Sequence, residues 1–204
     1  MIGCILFTDV KASSKLWAAH PKEMLKLLLQ HEKIIRGAIA KRKGLLVKTI
    51  GDAVMAKFAT LLDGVMCAIE IQSVLRARPI KFSRSADVLQ IRIGVAHGPM
   101  QSRDTIIQGF KVKDFFGATV NIASRMESKV SKVGGFAVYM NNIPKKILDI
   151  IREKCRVERV EFRNNCAEPI ARSRRLLMST ICQDAAALHI DDGREHIALS
   201  CEIL

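Results

Sequence analysis

The chain has 204 residues, 49% of them hydrophobic, and a formal net charge of +13 at pH 7. That length suits one domain with a real core, and no uninterrupted apolar run is long enough to span a bilayer. A single Trp and a single Tyr argue against a stacking platform for single-stranded nucleic acid; the charge by itself leaves open nucleic acid, an anionic membrane surface, polyanionic small substrates or solubility alone.

The N-terminus, Met1 to Val10, lacks the basic start of a signal peptide, and Asp9 interrupts its apolar run. Cys4, Cys67, Cys155, Cys166, Cys182 and Cys201 are scattered without metal-ligand spacing. They read as reduced packing residues, so a cytoplasmic location is expected. Gly3 to Val10 reads as a compact strand closing on Thr8-Asp9. A carboxylate at the end of a buried strand is costly unless it is paired or holds a metal. Lys11-Ala12-Ser13-Ser14 is a polar turn into a helix through Leu16 and Trp17. Its serines can act as ordinary caps, or the helix start can receive phosphate oxygens.

Pro21 opens a second helix, with an apolar face expected from Leu25, Leu28, Leu29, Ile34, Ile35 and Ile39 and with His31 structural. Lys43-Gly44 ends it. Leu45 to Ile50 and Ala53 to Phe58 read as strands around a Gly51-Asp52 turn. Asp52 thus sits at a hairpin tip and Lys48 in the strand before it. Asp9 and Asp52 together suggest a carboxylate pair for two divalent ions of the Mg²⁺ or Mn²⁺ kind, which favour oxygen ligands.

Thr60 to Arg78 is amphipathic, with Leu62, Val65, Met66, Ile69 and Val74 near its core side, and a basic loop follows from Pro79 to Asp87. Leu89 to His97 alternates, with Ile91, Ile93 and Val95 on one face and Arg92 and Gly94 on the other; Gly98-Pro99 is expected to break it. His97 reads as structural rather than catalytic. Ser102 to Lys113 is either another segment of the same sheet or an extended arm.

Asp114-Phe115-Phe116-Gly117 reads as a turn running into a helix that continues through Glu127. Val120, Ala123, Met126 and Val130 form its apolar stripe. Asn121 and Arg125 lie one turn apart on a polar face, an amide and a planar guanidinium suited to a sugar and a phosphate. Gly134-Gly135 ends a loop, Phe136 to Met140 is a strand, Ile143 to Ile151 a helix, and Arg156 to Phe162 alternates like a strand. Arg172-Ser173-Arg174-Arg175 is a basic patch, and Ser179 to Leu204 carries no clear motif.

Four pieces together resemble the class III nucleotide cyclase catalytic domain: Phe7-Thr8-Asp9-Val10, Val47-Lys48-Thr49-Ile50-Gly51-Asp52-Ala53, Ile91 to Gly98, and Asp114-Phe115-Phe116-Gly117 with Val120 to Arg125. They occur in the family's order and spacing, over roughly Ile2 to Leu148. The resemblance implies an α/β (α+β) ferredoxin-like fold with a mostly antiparallel sheet flanked by helices, working as a head-to-tail homodimer. We expect a catalytic domain over 1–162 and an extension over 163–204 that supplies in part final strands of the same domain. Glu168-Pro169-Ile170 is loosely similar to the family's last strand.

By the same resemblance, Asp9, Asp52 and the Val10 carbonyl would hold two Mg²⁺ or Mn²⁺ ions. Lys48 and Asp114 would read the base, Ser13 and Ser14 would seat phosphate, and Asn121 and Arg125 would act on ribose and transition state. The metal carboxylates of one chain would meet the other four groups of its partner. The reaction would be attack of a ribose 3′-hydroxyl on the α-phosphate. Donor-only Lys48 and acceptor-only Asp114 match the acceptor N1 and donor N6 of adenine, so ATP is the expected substrate and cyclic AMP the product. Lys11-Ala12-Ser13 departs from a more usual glycine-containing turn. The competing readings are a cyclase acting on GTP or a pyrimidine triphosphate, an inactive nucleotide-binding or regulatory module, and a nucleic-acid-binding domain, for which no recognised motif is present.

Overall fold

A computed structural model describes residues 1–107, 110–130, 135–140, 143–159, 188–189 and 195–203. The first strand, β1 (Ile2–Val10), leads into a short helix α1 (Ser13–Ala19) and a long one, α2 (Pro21–Lys41). The hairpin β2 (Leu45–Ile50) and β3 (Ala53–Phe58) turns at Gly51, whose φ of 62° suits glycine. Helix α3 (Leu61–Ala77) begins where the Thr60 side chain accepts from the Asp63 amide. Then follow β4 (Ile91–Pro99), β5 (Gln101–Ile107), β6 (Phe110–Phe116), α4 (Ala118–Lys129), β7 (Gly135–Met140), α5 (Lys145–Lys154), β8 (Cys155–Arg159), β9 (Leu188–His189) and β10 (Glu195–Ile203).

The main sheet runs β2-β3-β1-β4-β7-β10-β8, with β9 on β10, while β5 and β6 form a separate two-stranded ribbon. Every pairing in the main sheet is antiparallel except β4 with β7. The expected mixed fold, a mostly antiparallel sheet flanked by helices, is the fold found. The ribbon settles the segment after Met100 in favour of an arm.

Alternation along the strands builds two cores. Cys4, Leu6, Val10, Ile91, Ile93 and Val95 pack with α2, α3 and α5 on one face; Ile5, Met55, Ala96 and Phe115 pack with Ile122, Ala123 and Met126 of α4 on the other. The second core is possible because α4 lies almost on the strand. A Cβ at Gly94 would stand 2.1 Å from the Ala123 carbonyl oxygen.

Several expectations need correction. Leu25 and Leu29 are exposed, and the buried stripe of α2 is Met24, Leu27, His31, Ile35, Ala38 and Ile39. That stripe is the one α2 turns inward against α3, α1 and β2, and Leu25 and Leu29 fall outside it. Strand β4 does not break at Gly98: the ladder continues through Gly98 and Pro99, opposite Gly3 and Ile2. Asp114 to Phe116 is the end of strand β6, opposite Arg103 to Gln101, and the turn into α4 is Gly117 alone. Val74, expected near the core side of α3, is exposed. Strand β10, where the sequence shows no motif, sits between β7 and β8. Cys166, Cys182, Glu168 to Ile170 and the arginine cluster at 172–175 lie outside the described residues, whereas Cys4, Cys67, Cys155 and Cys201 are buried free thiols.

Candidate active site

The antiparallel ladder carries Asp9 and Asp52 towards each other. Thr8 faces Val54, one residue before Asp9 on β1 and two after Asp52 on β3. Both carboxylates act electrostatically on the same two neighbours, His31 and Glu127. Val10 is buried beside Asp9. The Asp52 Oδ2 atom is buried without a hydrogen-bond partner. A buried carboxylate oxygen left without a donor is costly, and an oxygen-favouring cation would satisfy it. The donor set thus fits a divalent ion of the Mg²⁺ or Mn²⁺ type. Among the described residues no three His, Cys, Asp or Glu side chains form a ready cluster, so any such site rests on the two aspartates and backbone oxygen.

Asp9 has a cationic neighbour that the sequence reading did not single out. Directly across the ladder from Asp9 stands Arg92. Its Nη2 donates to Asp9 Oδ2 at 2.6 Å, and its Nε lies 2.7 Å from Glu127 Oε1 on α4. Burial pushes the Glu127 carboxyl up to about 7; the Arg92 cation opposes this, and Asp9 and Asp52 add to it. The alternation of β4 could have flagged Arg92, since a cation on the inner face of a central strand needs a partner. Nothing local could have flagged Glu127, which reads as an ordinary polar helix position.

Lys48 and Asp114, 66 positions apart, meet: Lys48 Nζ donates to Asp114 Oδ2 at 2.6 Å. The other carboxylate oxygen accepts from the Phe115 amide at 2.8 Å. The Lys48 ammonium also stands 6.0 Å from the centre of the half-exposed Phe116 ring. Lysine has three donors and the carboxylate about four acceptor positions, so both groups retain capacity for a planar ligand beside Phe116.

Ser13 and Ser14 open α1, but neither caps it. The cap position is Ala12, in the left-handed region at φ 56°, ψ 33°, with no side-chain cap bond. An L-residue there is strained, at the turn where the sequence lacks the expected glycine. Asn121 is exposed on α4 and Arg125 half-buried, while Ala123, Met126 and Val130 face the core as the spacing predicts. His31 is buried and held below its usual pKa by burial, against the opposing pull of Asp52. His97 is half-buried in β4 and lowered by burial, in keeping with a structural role.

Among the described residues the sheet thus carries α4 on one face and α2, α3 and α5 on the other, with two neighbouring aspartates and a separate Lys–Asp pair. The sequence model of the adenylate and guanylate cyclase catalytic domain matches residues 3–161. The chain belongs to that family. It is 28% identical over 158 residues to a receptor-type adenylate cyclase, ESAG 4, of Trypanosoma brucei brucei, an alignment covering 61% of this chain and 13% of that protein. The chain therefore corresponds to a small part of that relative's length. Its fold is similar to that of an adenylate cyclase from Trypanosoma brucei solved in its monomeric state, with a TM-score of 0.69 at 19% identity, covering 98% of this chain and 89% of that one. It is also similar to a dimeric guanylyl cyclase domain from Blastocladiella emersonii, with a TM-score of 0.61 at 20% identity, covering 78% and 88%. Among the described residues no helix is long and apolar enough to cross a membrane.

Proposed function

We propose that this chain is an adenylate cyclase, converting ATP to 3′,5′-cyclic AMP and pyrophosphate at two sites shared between two copies of the chain. The observation that carries the reading is the Lys48–Asp114 pair, a donor and an acceptor brought within 2.6 Å from 66 positions apart. Adenine offers an acceptor at N1 and a donor at N6, and the pair can meet both. Guanine offers the reverse polarity and would leave groups unpaired.

Asp9, Asp52 and the Val10 carbonyl would hold two divalent cations, Mg²⁺ or Mn²⁺. When bound, such ions supply a lowered pKa for an attacking hydroxyl and neutralisation of triphosphate charge. The orphaned Asp52 oxygen supports this assignment. Ser13 and Ser14, on the turn after the Asp9 strand, would contact the phosphates. Asn121 would hold the ribose. The Arg125 guanidinium would donate to charge developing on the transferred phosphorus oxygens.

Helical rotation turns Asn121 about 120° and Arg125 about 160° away from Glu127, the α4 residue paired with Arg92 beside Asp9, which supports a site completed by a second chain in a two-fold homodimer. The first test is incubation with each nucleoside triphosphate and Mn²⁺, with the cyclic product identified. Cyclic AMP from ATP is expected. A cyclic product from GTP or a pyrimidine triphosphate alone overturns the base assignment, and no product from any supports an inactive module. The second test mixes Asp9→Ala with Arg125→Ala by co-expression. Each alone should be nearly inactive, and the mixture should regain about a quarter of wild-type activity, since half of randomly paired dimers carry one intact site. If heterodimers form and activity does not rise above the better mutant, the sites are not shared.

A further inference from the structure

Helix α4 faces two ways. Its residues advance about 100° each, so Glu127, two positions beyond Arg125, points roughly 200° away from it. That places Glu127 on the side pressed against β4, where the bare Gly94 lets backbone meet backbone; a Cβ there would fall 2.3 Å from the Glu127 amide nitrogen. From that side Glu127 Oε1 lies 2.7 Å from Arg92 Nε, and Arg92 Nη2 holds Asp9 Oδ2 at 2.6 Å. The Glu127 side chain is only 12% exposed. Arg92 thus pairs with two carboxylates through two nitrogens of one rigid plane: an aligned hydrogen bond to Asp9, and a close ion pair to Glu127 whose Nε and Oε1 atoms are buried without a hydrogen bond, so that charge rather than hydrogen-bond geometry holds that side.

Resting on the cyclase reading above, we propose that Glu127 is a positioning residue for Asp9 of its own chain: it locks Arg92, and Arg92 fixes the Asp9 carboxylate so that one oxygen is committed and the other is presented to a divalent cation. The same helix carries Asn121 and Arg125, which that reading assigns to the partner's site. Glu127 and Arg125 on one helix therefore serve different sites of the dimer. A substitution at Glu127 should injure the site built on its own Asp9 and spare the site that receives its Arg125. A merely structural role, loosening α4 as a whole, would injure both.

The chemistry is one of orientation only. No bond is made or broken and no proton moves. Glutamine at 127 keeps the size and an acceptor oxygen but loses the charge, so the pull on Arg92 from this side weakens and the Asp9 carboxylate is held less firmly. Outer partners of metal ligands are worth 10–100-fold in metal affinity or activity.

The test has two readouts. Free Mn²⁺ is titrated by electron paramagnetic resonance into full-length protein without nucleotide. Glu127→Gln should bind Mn²⁺ about 10-fold more weakly than wild type. Arg92→Lys, which keeps the charge as a point donor and cannot bridge two carboxylates, should weaken it similarly and serves if Glu127→Gln fails to fold. Cyclase activity is then read in defined heterodimers, with the Asp9→Ala and Arg125→Ala pair as reference. Glu127→Gln paired with Arg125→Ala should match the reference, because its surviving site uses the partner's Asp9. Paired with Asp9→Ala it should fall well below, because its surviving site uses its own. Unchanged Mn²⁺ affinity, or equal loss in both pairings, overturns the proposal. If the reference pair itself shows no activity, the shared-site reading has failed, and the Mn²⁺ titration alone decides the role of Glu127.

Discussion

Replacing Gly94 by alanine tests the packing that holds the site together. The added Cβ would lie 2.1 Å from the Ala123 carbonyl oxygen and 2.3 Å from the Glu127 nitrogen, both backbone atoms, where ordinary contact starts at 3.4 Å. Neither atom can rotate away, so helix and strand must part by about 1.3 Å at this point. Forcing an extra methyl into a packed core typically costs about 1–3 kcal/mol. For a chain of this size that lowers the melting temperature by roughly 2–12 °C, and contact with backbone rather than side chain puts the expectation at the upper end. Helix α4 carries Asn121, Arg125 and Glu127, and a displacement of about 1 Å at a catalytic constellation costs on the order of 10²-fold in rate. Thermal melting by circular dichroism and cyclase turnover on the purified variant measure both effects. Gly37→Ala is the control: no atom lies within 4 Å of its added Cβ, and alanine in a helix interior should raise stability by about 0.5–1 kcal/mol. A Gly94→Ala protein with wild-type melting temperature and wild-type turnover would refute the close-packing argument and the placement of α4 that follows from it.

Two further outcomes follow from the site. The double variant Lys48→Glu, Asp114→Cys should erode the preference for ATP over GTP, measured as the ratio of the two kcat/KM values; an undiminished preference for ATP would show that the pair does not read the base. His31 has a pKa depressed below its usual 6.5 by burial, so the unfolded chain takes up a proton at a higher pH than the folded one. Stability should therefore fall as pH drops below about 6.5 and recover above it. Urea unfolding from pH 7.5 to pH 5 should show a shallower acid loss for His31→Gln, and an unchanged slope would remove His31 from the account.

Much of the local architecture was legible in the sequence because it depends on neighbours a few residues apart. The Gly51-Asp52 hairpin tip, the alternation of β4 and the α4 stripe of Ala123, Met126 and Val130 each follow from a short period or a turn residue. The candidate site was partly legible too: Asp9 at a strand end demanded a partner, whereas Lys48 and Asp114 were linked only through the family resemblance. What only the tertiary structure decided is who meets whom. Apolar spacing says that α2 has apolar faces, but not that Leu25 and Leu29 stay in water, because which stripe turns inward is set by the segments packed against it. Strand β10 enters between β7 and β8 from the far end of the chain, a pairing with no local signature. Arg92 reaches Asp9 across 83 positions and Glu127 on another element. That contact exists because β1 and β4 are adjacent and Gly94 lets α4 approach, and no pattern within a single segment encodes the sum of those two conditions.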